Sequence, residues 1–169
     1  MAHPARIARS LLAHRLLYLV KKMSRSLLDS HVTTRKPRIL VVDDEPAVRR
    51  GLVRVLSSGQ PLWLVETAAD GLEALHKMAL RTPDVLLTDL SMPRMDGLLL
   101  LELASRRYPS LRRLVHSSRI GTHSPEQVGR LAHEVLVKPA SAMQILSTTN
   151  RAMEQSTWAQ DAPASVRYG

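Results

Sequence analysis

Four short aliphatic runs in this chain are followed by residues whose chemistries complement one another. The first leads into Asp43-Asp44-Glu45, another into Asp89, another into Ser117-Ser118 and another into Lys138-Pro139. Carboxylates gathered without partners repel one another and raise each other's pKa. A hard divalent cation resolves that conflict, and Mg²⁺ takes oxygen ligands while keeping several waters. Asp44 and Asp89 can supply carboxylates, and the backbone carbonyl of Ser91, just after Asp89, can complete the protein's share. Lys138 adds a fixed positive charge and Ser117 a hydroxyl. The chemistry that fits this set is attack of a carboxylate oxygen on phosphorus, giving an acyl phosphate on Asp89. The cation and Lys138 would offset the charge growing on the phosphoryl oxygens. Ser117 can hydrogen-bond the phosphoryl group and be drawn towards it, which is a local switch with a global readout.

Each piece taken alone has an ordinary explanation. An acidic pair after a strand is often a helix N-cap lying on the helix dipole. A lone Asp at a strand end is often a turn residue, and a Lys-Pro step is often only a loop. The agreement of four such pieces, in order along the chain, carries the reading.

The elements needed to bring these residues together are also legible. Arg38–Asp43, Asp84–Asp89, Arg113–Ser117 and Val135–Val137 read as buried strands, with Trp63–Thr67 as a further one. Continuous aliphatic strands suit a parallel sheet covered on both faces. A helix is expected from Pro46, burying Val48, Leu52, Val55 and Leu56, since proline suits a first helical turn. Another should follow the N-cap Asp70, with Leu72, Leu75 and Met78 on its buried face. Further helices are expected over Leu98 to about Arg106, from near Ser124, and over about Ala142–Gln155. Five strand–helix repeats predict a doubly wound α/β fold. Open parallel sheets place their functional site at the carboxyl ends of the strands, where all four pieces fall.

Composition bounds the rest. The 169 residues suit one domain with some overhang. Phe is absent and aromatics make up 3%, so the core must be aliphatic. With no cysteine, disulfides, thiolate zinc sites and cysteine nucleophiles are excluded. The net charge of +9 is concentrated at one end: residues 1–38 carry nine Lys and Arg against one acid, and the remainder carries 15 against 14. The chain therefore divides into a basic, partly amphipathic arm (1–37), a compact domain (38–155) and a tail (156–169) expected to be disordered. The tail is too short to form a DNA-binding or catalytic output domain. The arm is too short and too charged to span a bilayer and lacks the pattern of a secretory signal. Met23 offers an alternative start that would remove most of it. The arm's charge suits contact with an anionic membrane or nucleic acid, or simple solvation. Its single aromatic residue, Tyr18, argues against stacking on single strands.

The compact region resembles the response-regulator receiver domains of two-component signalling. Ile39-Leu-Val-Val-Asp-Asp-Glu-Pro46, Asp84-Val-Leu-Leu-Thr-Asp-Leu-Ser-Met-Pro-Arg-Met-Asp-Gly97, the Ser117 strand end and Lys138-Pro139 carry the resemblance. It implies a flavodoxin-like strand order, 2-1-3-4-5, and a cytoplasmic domain. It implies Asp89 as phosphoacceptor, Asp43 and Asp44 as the acidic pair at Mg²⁺, Ser117 as switch hydroxyl and Lys138 as the phosphate-contacting lysine. It also implies a cis Lys138–Pro139 peptide, and an influence of Ser91 and Arg119 on phosphate lifetime. A histidine kinase or phosphotransfer protein would donate the phosphoryl group, and a downstream protein would read the result. The switch position three before the lysine is often aromatic in this family; here it is Val135. His116 is expected to pack into or beside the sheet. No enzymatic activity is expected beyond self-phosphorylation and dephosphorylation on Asp89. The competing reading is a receiver-like binding module that works without phosphorylation. A phosphatase using an aspartyl-phosphate intermediate would need a second Asp two residues after the nucleophile, where Ser91 stands.

Overall fold

A computed structural model describes residues 35–118 and 124–161. The basic arm up to residue 34, Arg119 and the tail from residue 162 lie outside the described residues. The elements are β1 (Arg38–Val42), α1 (Pro46–Gly59), β2 (Leu64–Ala68), α2 (Gly71–Leu80), β3 (Val85–Thr88), α3 (Gly97–Arg107), β4 (Arg112–Ser117), α4 (Pro125–Leu131), β5 (Glu134–Val137), α5 (Ala142–Glu154) and α6 (Thr157–Asp161). The five strands are all parallel, as the strand–helix repeats predict, and their order, β2-β1-β3-β4-β5, is the one the resemblance implies.

Alternation along each strand builds two separate cores. Leu40, Val42, Leu86 and Val115 face α2, α3 and α4 and pack on Ala74, Met78, Leu100, Leu101, Ala104 and Val128. Ile39, Val41, Val85, Leu87 and Leu114 face α1 and α5 and pack on Leu52, Leu56, Ile145, Ala152 and Met153. Strands buried on both faces have no polar side to show, which is why they read as unbroken aliphatic runs.

The helices begin and end for local reasons. Pro46 opens α1, and Leu52 and Leu56 are buried with Val48 and Val55 beside them, as expected. The Asp70 carboxylate caps α2, accepting from the N–H groups of Leu72 and Glu73 at 2.9 and 3.0 Å. The buried face of α2 differs from the expected one: Gly71, Ala74 and Met78 turn inward, Leu75 lies alongside, and Leu72 is 49% exposed. At 3.6 residues per turn Leu72 stands about 100° round the helix from Gly71, so the two cannot share one narrow stripe. Ser141 and Gln144 form a reciprocal capping box at the start of α5. The fourth helix, expected near Ser124, is a short one of seven residues.

The tail departs from the expectation of disorder at its first residues. Ser156 is buried and Thr157–Asp161 is helical. The cause is Trp158, which packs into the α1/α5 core while its indole N–H donates to the Arg35 carbonyl at 2.9 Å. An indole contributes a large apolar surface and needs one partner for its N–H, and this position supplies both. Among the described residues, no helix is long and apolar enough to cross a membrane.

Candidate functional site

Asp43, Asp89 and Lys138 stand just past their strands, still held by the sheet's hydrogen-bond ladder, and Ser117 is the last residue of β4. Asp43 donates its N–H to the Ala68 carbonyl at 3.2 Å, Asp89 to Val42 at 2.8 Å, and Lys138 to Ser117 at 3.0 Å. The register pairs Val42 with Thr88 and Thr88 with Val115. Carried one residue further, it sets Asp43, Asp89 and His116 in one row across β1, β3 and β4. The sheet therefore aims these side chains before any ligand arrives.

Three of the expected residues form one acidic group: carboxylate oxygens of Asp43, Asp44 and Asp89 all lie within 4.8 Å of one another. Asp43 and Asp89 are buried, with 1% and 6% exposure, and Asp44 is open to solvent. Lys138 donates to Asp43 Oδ2 at 2.7 Å and to Asp89 Oδ2 at 2.6 Å. The Lys138–Pro139 peptide is cis, as expected. Asp89 Oδ1 accepts from the N–H groups of Leu90 and Ser91 at 2.6 and 3.3 Å, and Asp43 Oδ1 accepts from Glu45 N–H at 2.9 Å. The buried Ser117 hydroxyl also hydrogen-bonds the Asp89 carboxylate.

The charges tune one another. Burial pushes the Asp89 carboxyl up, but the Lys138 and Ser117 hydrogen bonds, the Lys138 charge and the Ser91 N–H outweigh it and hold it below its ordinary value. Burial pushes the Lys138 ammonium down, and its bonds and attraction to Asp43 and Asp89 hold it above its ordinary value instead. Asp89 is thus a carboxylate and Lys138 a cation across the neutral pH range. Among the described residues, three carboxylates still face one ammonium. The donors are oxygens with one open acidic group, a set that suits a hard divalent cation.

Two contacts hold the backbone around Asp89. Gly97 donates its N–H to the Leu90 carbonyl at 2.8 Å, and a Cβ there would run into the backbone of Asp89 and Leu90. Only glycine permits that approach. The Thr88 hydroxyl donates to the Asp89 carbonyl at 2.8 Å.

Some contributors were not foreseen. Arg49 donates to the Asp43 carbonyl at 2.5 Å. Asp70 was legible as a helix cap but not as the partner of Arg94, with which it forms an ion pair. His116 packs into the sheet as expected, but neither of its ring nitrogens has a hydrogen-bond partner among the described residues. Burial, with Lys138 nearby, pushes its imidazole below the ordinary value, so it is neutral. No spacing rule links Arg49, Arg94 or His116 to the pocket; only the row and the loop geometry do. Val135 stands at the surface of β5, 38% exposed, outside the acidic group.

Comparison with known proteins agrees with this geometry. The family model described as response regulator receiver domain matches residues 39–150. Among curated proteins, a protein-glutamate methylesterase/protein-glutamine glutaminase of Bdellovibrio bacteriovorus is 35% identical over 70% of this chain and 34% of its own length. A protein of the same name from Anaeromyxobacter dehalogenans is 47% identical over 45% of this chain and 22% of its own. The chain thus spans about a third or less of the length of these relatives. Among solved structures, the receiver domain of NtrX from Brucella abortus is 30% identical with a TM-score of 0.64, covering 70% of this chain and 99% of that one. The response regulator TrrA of Thermotoga maritima, crystallised with Mg²⁺ and BeF, is 26% identical with a TM-score of 0.63, covering 69% and 98%.

These relatives correct one expectation. The sequence reading allowed no enzymatic activity beyond phosphorylation and dephosphorylation on Asp89, yet the curated relatives are named as enzymes. The physical reason is modularity: a receiver fold occupies a fraction of such proteins, so its own residues exclude nothing about the activity of the whole. The chain belongs to the response regulator receiver domain family.

Proposed function

We propose that this receiver takes a phosphoryl group on Asp89 from a phosphohistidine partner and signals through altered protein contacts. A carboxylate oxygen of Asp89 attacks phosphorus, the bond from phosphorus to the partner's imidazole nitrogen breaks, and the electron pair leaves with that nitrogen. The observation that carries this reading is the Lys138 ammonium bridging Asp43 and Asp89 at 2.7 and 2.6 Å. Lys138 can pass from Asp89 to a phosphoryl oxygen without leaving the pocket. Asp43, Asp44, Asp89 and the Ser91 carbonyl would hold Mg²⁺, which when bound neutralises charge on the transferring group. The Leu90 and Ser91 N–H groups orient the acceptor carboxylate.

Ser117 supplies the switch hydroxyl, leaving Asp89 for the phosphoryl oxygens. Val135 carries two methyl groups and no ring, so a large aromatic swing is absent at that position. Ser117 is then the residue through which phosphorylation is sensed. A histidine kinase or phosphotransfer protein is the expected donor, in the cytoplasm, with a protein target downstream.

Acetyl phosphate with Mg²⁺ tests the assignment by intact mass. The wild type should gain one phosphoryl group, and Asp89→Asn should gain none. Equal labelling of Asp89→Asn would sink it.

A further inference from the structure

The segment between β3 and α3 carries Ser91, and it is tied down from outside the acidic pocket. Asp70, at the start of α2, is buried to 1% exposure. Its Oδ1 caps α2, and its Oδ2 pairs with the Arg94 guanidinium. Arg94 is held at φ 65°, a left-handed conformation uncommon for a residue with a side chain. Such a conformation persists where its surroundings hold it. Those surroundings are local and specific. Gly71 donates to the Met95 carbonyl at 3.3 Å, and Met95 packs where a Gly71 side chain would stand. Gly97 closes the other end of the segment on Leu90.

An exposed ion pair usually contributes little. Here Arg94 is 62% exposed, but the carboxylate it meets is buried, and a buried charge needs its partner. The pair therefore fixes the loop at its midpoint, between the Asp89 end and the α3 end. Ser91 lies two residues past Asp89 and three before Arg94.

We propose that Asp70 and Arg94 are positioning residues for the acidic pocket. They set the β3–α3 loop so that the Ser91 carbonyl and the Ser91 N–H face Asp89 in register for the cation and the phosphoryl group. The inference rests on Asp89 as acceptor and on Ser91 as a cation ligand. It makes the start of α2, an element that touches no reacting atom, part of what the pocket requires.

The test uses the full chain. Asp70→Asn keeps an oxygen to cap α2 and removes the charge that Arg94 meets. Arg94→Asn removes the guanidinium while tolerating the left-handed backbone. Mg²⁺ affinity is measured by titration calorimetry, acetyl phosphate labelling of Asp89 at saturating Mg²⁺, and stability by urea midpoint. Each single variant should weaken Mg²⁺ binding by about tenfold, the scale for losing a group that orients a ligand. The double variant should be no weaker than either single one, because the two act as a unit. Glu102→Gln, which breaks the Arg106 pair on α3, should leave Mg²⁺ affinity unchanged. A lowered urea midpoint with wild-type Mg²⁺ affinity would overturn the proposal and leave the pair purely structural. If the wild type binds no Mg²⁺ and takes no label, the acceptor reading and this inference fall together. If it labels normally and the variants bind Mg²⁺ as it does, only the positioning role fails.

Discussion

Strand β3 runs between two buried aspartates, and they are handled in opposite ways. Asp84, just before the strand, is 3% exposed. It accepts both arms of the Arg35 guanidinium at 2.8 and 2.6 Å and the Arg38 N–H at 2.9 Å. Its charge is met by one cation of its own. Asp89, just past the strand, is 6% exposed and shares one lysine with Asp43, with Asp44 alongside. Burial alone therefore does not mark a functional carboxylate. The Asp84 end is a closed lock, reinforced by Trp158 on the Arg35 carbonyl. Among the described residues, the Asp89 end has carboxylates in excess of its cation, a condition that suits a hard divalent ion.

That contrast can be broken at either end. The largest effect should come from Lys138→Ala at the open end. Removing a preorganised charge from a developing phosphoryl oxygen typically costs about 10²–10³ in rate. Acetyl phosphate labelling at saturating Mg²⁺ should slow accordingly, and an unchanged rate would remove Lys138 from the chemistry. At the closed end, Asp84→Ala leaves Arg35 and the Arg38 N–H without their acceptor. It should cost about 3 kcal/mol in urea unfolding, the low end for breaking a buried pair, since Arg35 is partly exposed. Its labelling rate should match the wild type at temperatures where it stays folded.

The smallest effect sharpens the comparison by pH. The folded-state pKa of His116 lies below its ordinary value of 6.5. Its neutral form is the one the fold accepts, so its contribution is full above about pH 6.5 and is lost as pH falls through the lowered folded value. His116→Leu replaces two nitrogens that have no hydrogen-bond partner among the described residues with an apolar group of similar size. It should raise stability by about 1 kcal/mol at neutral pH and flatten the loss below pH 6.5. Urea midpoints across pH 5–8 check both. An unchanged acid slope would mean that His116 carries no part of it.

Much of the fold was legible because its signals are local. Aliphatic runs buried on both faces, Pro46 opening α1 and Asp70 capping α2 all act within a few residues. Where the reading slipped, distant contacts decided. Leu72 lies outside because packing against β1 and α3 turns Ala74 and Met78 inward, and Met95 closes on Gly71. The first tail residues fold because Trp158 finds Arg35, more than a hundred positions away.

For the site, the sequence by itself determined the chemical inventory. Asp43, Asp44, Asp89, Ser117 and Lys138 could be named because they lie at the ends of four strands, and parallel strands bring their carboxyl ends to one rim. Only the tertiary structure decided the charge balance. It alone assigned one lysine to two carboxylates, gave Asp84 a cation of its own, left His116 without a hydrogen-bond partner among the described residues, and tied Arg94 to Asp70. Spacing along the chain says which groups can reach the rim. Which of them are neutralised depends on distances between strands and loops that no local pattern records.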